Sequence, residues 1–312
     1  MKLHNNVKGS AILSLAALIW GLAFVAQSQA ADSVPPFIFN SLRSFIGALF
    51  LLLLLFFKRC KTGTPIFPKE RPKQKQMLFG GILCGALLAV SVNFQQFGLA
   101  LYPPEAASEA RAGFLTALYV VLVPLISVFF KQKIHLPVWI AVAVATVGIY
   151  LLSFSGGIDS IYVGDVLVFL CAISFSFHVL AVDKYGEPIG GMLLSMLQFA
   201  TCGILSGILS LCFEEIVWTN ILAATPQILY LGIMSSGIAY TLQIYGQKYA
   251  EPAVASLSMS LEGVFAALGG WLIFGNTLSA GEFWGCALVF AAILLAQLPQ
   301  FFAKKSTDAV EK

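Results

Sequence analysis

A chain whose apolar runs are each about twenty residues long, with its charges almost wholly between them, has few ways to fold. Ten such runs occur here, at about 10–29, 35–57, 77–100, 106–130, 136–154, 164–183, 189–212, 225–247, 252–274 and 280–300. Twenty helical residues rise ~30 Å, the thickness of the hydrocarbon core of a bilayer. In lipid each backbone N–H and C=O has to be paired within its own segment, which favours helices. Charged residues make up 11% of the 312, against about 25% in soluble domains. The expectation is an all-α integral membrane protein of ten transmembrane helices. The first thirty residues also have the outline of a cleaved signal peptide, with a basic start, an apolar middle and "SQA" at the end; the count of ten requires that they stay.

Proline placement agrees with these limits. Pro35, Pro36, Pro103, Pro104, Pro137, Pro188, Pro226 and Pro252 fall where helices are expected to begin, where a missing N–H costs nothing. Pro124 lies inside a span, so a kink is expected there.

The basic residues set a sidedness. With the N-terminus inside, sixteen of the eighteen Lys and Arg fall on the inner side, and the remaining two, Arg43 and Arg111, lie within spans. The outer connections "ADSVPP", "YPPEAAS", "SGGIDSIYVGD", "EEIVWTN" and "GNTLSAGE" hold none. By the positive-inside rule both ends are cytoplasmic, in a cell membrane that the compact loops suggest is a bacterial inner membrane. The basic "KRCKTGTPIFPKERPKQK" connection reads as a topology determinant that touches anionic lipid rather than as a nucleic-acid patch. Six cysteines stand singly with no CxxC spacing, so no disulfide framework, metal or cofactor is expected.

The halves resemble one another. "AALIWGLAFV" (16–25) aligns with "CAISFSFHVL" (171–180), the same offset sets Arg43 opposite Gln198, and "FQQFGLALYPPEAAS" (94–108) aligns with "LQIYGQKYAEPAVAS" (242–256). Five spans per copy is odd, so the second copy enters the membrane inverted. The reading is two inverted five-helix repeats, 1–155 and 160–300, around a central cavity, with a cytoplasmic tail at 301–312. Such repeats are a recurrent design of secondary transporters, with the substrate site near mid-depth.

Polar side chains within spans belong at a cavity or against partners. The candidates are Trp20, Asn40, Arg43, Asn93, Gln96, Tyr119, His178, Gln198, Tyr240, Gln243 and Glu262. Each also has a structural reading. Serines such as Ser174, Ser195 and Ser258 bond back to helix backbone, amides join helices, His178 packs, Trp20 and Tyr119 fill space, and Glu109 and Arg111 snorkel. Arg43 and Glu262 resist this reading because both reach the middle third of the bilayer with no charge nearby in sequence. Arg43 is expected to attract an anionic group of the substrate, and Glu262 either to balance it or to carry a proton; the structural alternative is an Arg43–Glu262 ion pair. Spans five and ten carry almost no polar residues, which leaves them peripheral and available for a homodimer contact.

Several stretches together resemble the EamA family of the drug/metabolite transporter superfamily: "AALIWGLAFV", "FNSLRSFIGALFL", "NFQQFGLALYPPEAASEARAGFLTALYVVLVPLISVFF" and "GDVLVFLCAISFSFHVL". The likeness spans about residues 9–300. It implies ten helices in two inverted repeats, a path formed by spans one to four and six to nine, and a role for the span-two arginine, Arg43. Where such proteins often carry Leu-x-Pro-Val in span nine this chain has "LEGV" (261–264), and Gly275-Asn276 replaces a common Gly-Glu, so the resemblance does not extend to Glu262.

The expected function is secondary transport or export of a small polar, amino acid- or metabolite-like solute by alternating access. Its partners are then that solute and membrane lipid, with no nucleic acid. No GxxxxGK[ST] loop is present for ATP, and no HExxH, GxSxG or nucleophile–base set for an intramembrane enzyme. A passive channel, or a flippase for a lipid-linked sugar, is the alternative.

Overall fold

The computed structural model describes residues 6–31, 33–103, 108–153, 161–274 and 280–310. Pro104 and Gly275-Asn276 lie outside them. The described residues are helical with no strand. In order they form α1 (Asn6–Ala31), α2 (Pro36–Thr62), α3 (Arg71–Ala100), α4 (Ser108–Ala117), α5 (Tyr119–Phe129), α6 (Leu136–Ser153), α7 (Val163–Ile189), α8 (Gly191–Phe213) and α9 (Trp218–Ala223). There follow α10 (Thr225–Tyr230), a π-helical stretch (Leu231–Ala239), α11 (Tyr240–Gln247), α12 (Pro252–Met259), α13 (Leu261–Phe274) and α14 (Ala280–Val310). Seven helical segments are long and apolar enough to cross a membrane, and Leu136–Leu151, Pro252–Ala266 and Phe283–Ala296 are shorter apolar helices. The protein is thus a multi-pass membrane protein.

Helix starts follow the prolines in most places. Pro36 opens α2 and Pro252 opens α12, while Pro226 stands in the first turn of α10. Pro188 departs from expectation. It sits in the last turn of α7, and the reversal into α8 is made two residues later by Gly190 at φ 93°, a conformation open to glycine because it lacks a Cβ. Pro124 lies within α5, and a separate interruption falls at Leu118, six residues earlier. There Val121 and Leu122 both donate to Leu118 O. A second interruption, at Ser260, separates α12 from α13.

Packing pairs α2 with α8, α3 with α7 and α8, α6 with α14, and α1 with α13. The α6–α14 pair stands apart from the polar centre, as expected for spans five and ten, and the two pack on each other within one chain. The α1–α13 crossing near that centre is close. A Cβ at Gly21 would meet Phe265 Cβ at 2.6 Å and Glu262 O at 2.8 Å. Gly21→Ala is therefore expected to push α13 outward and cost about 1–3 kcal/mol, as overpacking does, read as a lower unfolding midpoint in detergent; an unchanged midpoint would show that the crossing yields freely.

Candidate functional site

The middle of the bundle holds a cavity of about 50 Å³, room for a few waters or the polar head of a small solute. Broken helices build much of it. Tyr119 is the first residue after the Leu118 interruption and Glu262 the second after that at Ser260, and the Tyr119 hydroxyl donates to Glu262 Oε1 at 3.0 Å. The π-helical stretch adds Ser235, and α11 adds Tyr240 and Gln243. Widened turns of this kind recur at functional sites because they turn side chains out of α-helical register.

Arg43 reaches the cavity from α2. Seven residues beyond Pro36, it lies about 10 Å along the helix at 1.5 Å per residue, and 4% of it is exposed. Its Nη1 donates to Gln27 Oε1 at 3.2 Å, and the guanidinium lies 5.8 Å from the Phe39 ring centre. Glu262, 5% exposed, lines the same cavity. No ion pair joins the two among the described residues. Tyr240 lies within electrostatic range of both, and its ring makes an edge contact with Trp20 at 4.8 Å.

Of the eleven residues singled out from the sequence, six line the cavity: Trp20, Arg43, Tyr119, Tyr240, Gln243 and Glu262. The other five lie outside the lining. Asn40 donates to Asn93 Oδ1 (2.9 Å) and Val92 O (3.0 Å), while Asn93 donates to Ser206 Oγ (2.8 Å), which ties α2, α3 and α8 together. Gln96 donates to Gln27 O, so it braces the α1 residue that holds Arg43. His178 Nε2 and Gln198 Oε1 are 3.0 Å apart and fully buried, and α8 supplies no lining residue at all. Among the serines, Ser258 donates to Val254 O in its own helix and Ser174 to Leu87 O.

Gln27, Gln95 and Thr116 line the cavity as well and were not among the candidates. Gln27 lies near the end of its apolar run, where an amide reads as an interfacial residue. Gln95 shares "NFQQ" with Gln96, and only packing shows which of the two turns inward. Gln95 donates to Thr116 Oγ1 at 3.1 Å.

Two buried clusters share residues with the cavity lining. Phe24, Leu99, Tyr102, Ala112 and Val168 form a buried cluster on one side; Leu13, Tyr119, Val123, Val179 and Met259 form another. The first is roofed by polar contacts. Asp165 accepts from Arg111 Nε (3.2 Å) and Nη2 (3.0 Å), from the Tyr102 hydroxyl (2.8 Å) and from Tyr162 N (2.9 Å). The Arg111 guanidinium lies 4.7 Å from the Tyr162 ring centre. Burial, reinforced by Asp165, holds the Tyr102 phenol well above its usual pKa, so it remains a donor. Nearby, Glu214 accepts from Phe37 N (2.7 Å) and Ile38 N (2.8 Å). It thereby caps the N-terminus of α2, where Pro35 has no side-chain donor or acceptor to offer.

Comparison with known proteins agrees with this architecture. The model of the EamA-like transporter family matches residues 7–154 and again 162–298. An "uncharacterized transporter" of Archaeoglobus fulgidus is 30% identical over 295 residues, covering 92% of this chain and 84% of its own. The inner membrane transporter YedA of Escherichia coli K12, also described as uncharacterized, is 24% identical over 91% of this chain and 89% of its own. A solved structure titled only "Crystal structure of protein" superposes with a TM-score of 0.73 at 22% identity, covering 93% of this chain and 96% of that one, which shows a shared fold. With the family model matched over most of its length in two successive segments, this chain belongs to the EamA-like transporter family.

Proposed function

We propose that the protein is a secondary transporter of small polar metabolites working by alternating access, with ten spanning helices in two inverted five-helix repeats and both ends cytoplasmic. The observation that carries this reading is a polar cavity at mid-bundle into which Arg43 and Glu262 both project without neutralising each other. A charge at mid-depth costs about 2.5–3.5 kcal/mol on insertion scales and marks a pathway by default. In this reading the two buried clusters at the cavity are its seals, since a carrier has to be sealed on each side in turn. Seven long apolar helices and three shorter ones support the reading of ten spans, and the twofold family match divides near the expected boundary between repeats. Interruptions at Leu118 and Ser260 provide places where helices can bend.

One feature favours the runner-up, a flippase. An apolar groove of about 560 Å³ lies between α3, α7 and α8, lined by residues such as Phe94, Phe97, Leu205 and Ile208, and would admit an acyl chain. It shares no lining residue with the central cavity and carries no charge for a sugar phosphate, so the carrier is the better reading. A thermal-shift screen of purified protein against amino acids, nucleosides and sugars would choose a solute for vesicle counterflow. Preloaded solute is expected to accelerate its entry several-fold. Flux indifferent to preloading would make the protein a channel, and lipid scrambling in the same vesicles would make it a flippase.

A further inference from the structure

The end of the molecule where Lys and Arg collect holds a pocket that shares no residue with the central cavity. There α2 ends, and Lys58 and Arg59 stand three and four residues beyond Leu55, which sets all three on one helical face. That face lines a cavity of about 140 Å³, several times the ~30 Å³ that one water occupies in the liquid. Opposite is the reversal from α7 into α8, which contributes Ile189, Gly190, Met192 and Leu193. Tyr245 of α11, 41% exposed, adds a ring and a hydroxyl. The apolar lining is anchored in the bundle. Leu55 and Leu193 belong to a buried cluster with Leu51, Met77 and Met196, and Ile66 and Met192 pack against it. The rim is held by the chain itself. Gly63 ends α2 at φ 67° and its N–H donates to Arg59 O at 2.8 Å. Thr62 Oγ1 donates to Lys58 O (2.9 Å) and so accepts from Thr64 Oγ1 (2.6 Å), which keeps Thr64, Pro65 and Ile66 at the pocket.

Two cations thus face an apolar floor with no acid beside them. Among the described residues neither Lys58 nor Arg59 forms an ion pair, whereas Glu70 and Glu187 of the same end are committed to Lys73 and Lys248. A hydrated inorganic anion would answer the charges and leave the floor wet; a plain hydrocarbon would do the reverse. Toward the membrane centre α2 goes on to expose Leu52, Leu53, Leu54 and Phe56. Leu54 is four residues from Lys58, about 6 Å along the axis, so an anion seated here has acyl-chain surface directly below it. We propose that the pocket binds one anionic phospholipid of the inner leaflet, its phosphate on Lys58 and Arg59, its glycerol carbons on Ile66 and Met192, and its chains running down α2. Charge complementarity selects this occupant, as in other basic pockets between spanning helices. Lys61, Lys69, Arg71, Lys73 and Lys75 of the same basic connection lie outside the lining, which separates a site from the diffuse pull of a basic loop on a membrane surface. Because the walls come from α2, α7, α8 and α11, a bound lipid also ties these helices together at that end. The site stands whatever solute the central cavity carries.

The test is native mass spectrometry of the full chain in detergent, titrated with phosphatidylglycerol or with phosphatidylcholine of the same acyl chains. A basic residue facing an anionic lipid contributes about fivefold to binding, so a first phosphatidylglycerol is expected to bind about 25-fold tighter than phosphatidylcholine. Lys58→Gln and Arg59→Gln are each expected to remove about fivefold of that preference, and together to abolish it. Lys69→Gln with Lys75→Gln, which takes the same number of charges from the same end but outside the pocket, is expected to retain it. Glycerol phosphate at about 100-fold excess over the lipid is expected not to displace it, since it lacks the chains. Equal binding of the two lipids would overturn the assignment. So would equal losses in the two double variants, which would make the attraction a property of the whole connection. Displacement by glycerol phosphate would overturn it too, leaving a site for a soluble phosphate ester.

Discussion

Arg43→Gln, expressed at the wild-type level, is expected to lower carrier flux about 100-fold while leaving the protein as stable as before or more so. The two effects have one cause. Arg43 is 4% exposed and held by a neutral amide and an aromatic ring rather than by a carboxylate, so folding bears its desolvation without the return of an ion pair. Glutamine removes that burden and can still bond the Gln27 side chain. A hydrogen bond to a charged group contributes about 1.5–3 kcal/mol, and each 1.4 kcal/mol is tenfold, which sets the size of the loss. A purely structural arginine would behave in the opposite way, with unfolding midpoint and flux falling together. Unchanged uptake with normal expression would remove Arg43 from the mechanism. Functional sites commonly trade stability for activity in this manner.

Asp165→Asn should show the contrary pattern, a loss of about 3 kcal/mol in a reversible unfolding titration, since breaking a buried pair strands its partner. Asp165 and Arg111 are each 9% exposed, and the carboxylate accepts four hydrogen bonds from Arg111, Tyr102 and Tyr162. An amide offers one acceptor oxygen and turns a donor toward the guanidinium. Tyr102→Phe, which deletes one of the four bonds, is expected to cost about 1 kcal/mol. Glu187→Gln serves as the comparison: its pair with Lys248 spans 4.0 Å between half-exposed side chains, and such surface pairs often contribute nothing measurable. Equal effects at Asp165 and Glu187 would show that the roof above the Phe24 cluster is solvated rather than built. Because that roof joins α3 and α4 to α7 on one side of the cavity, the carrier reading also expects Asp165→Asn to change how often that side opens.

Much of this was legible from residue order. The apolar runs located the helices, with ends that extend up to about ten residues beyond the apolar runs, because lipid requires the backbone to be paired within its own structure. Arg43 and Glu262 stood out because a charge in oil is conspicuous whatever surrounds it. Less visible was which neutral polar residue turns inward. In a water-soluble helix the apolar stripe marks the buried face, but in lipid both faces are apolar and the stripe is lost. Hence the sequence reading names Gln96 where the cavity takes Gln95, omits Gln27, and includes Asn40, Asn93 and the His178–Gln198 pair, which join helices beside the cavity.

Local chemistry was enough to require helices, to space them and to set two opposite charges deep within them, since these consequences follow from transfer into hydrocarbon and involve no neighbour. Packing in three dimensions settled whether those charges neutralise each other. The interruptions at Leu118 and Ser260 bring Tyr119 to Glu262, while Gln27 holds Arg43 on another wall, and the space between them is a property of ten helical segments meeting at once. Pairing depends on distances of a few ångströms across the bundle, and no spacing along the chain encodes them.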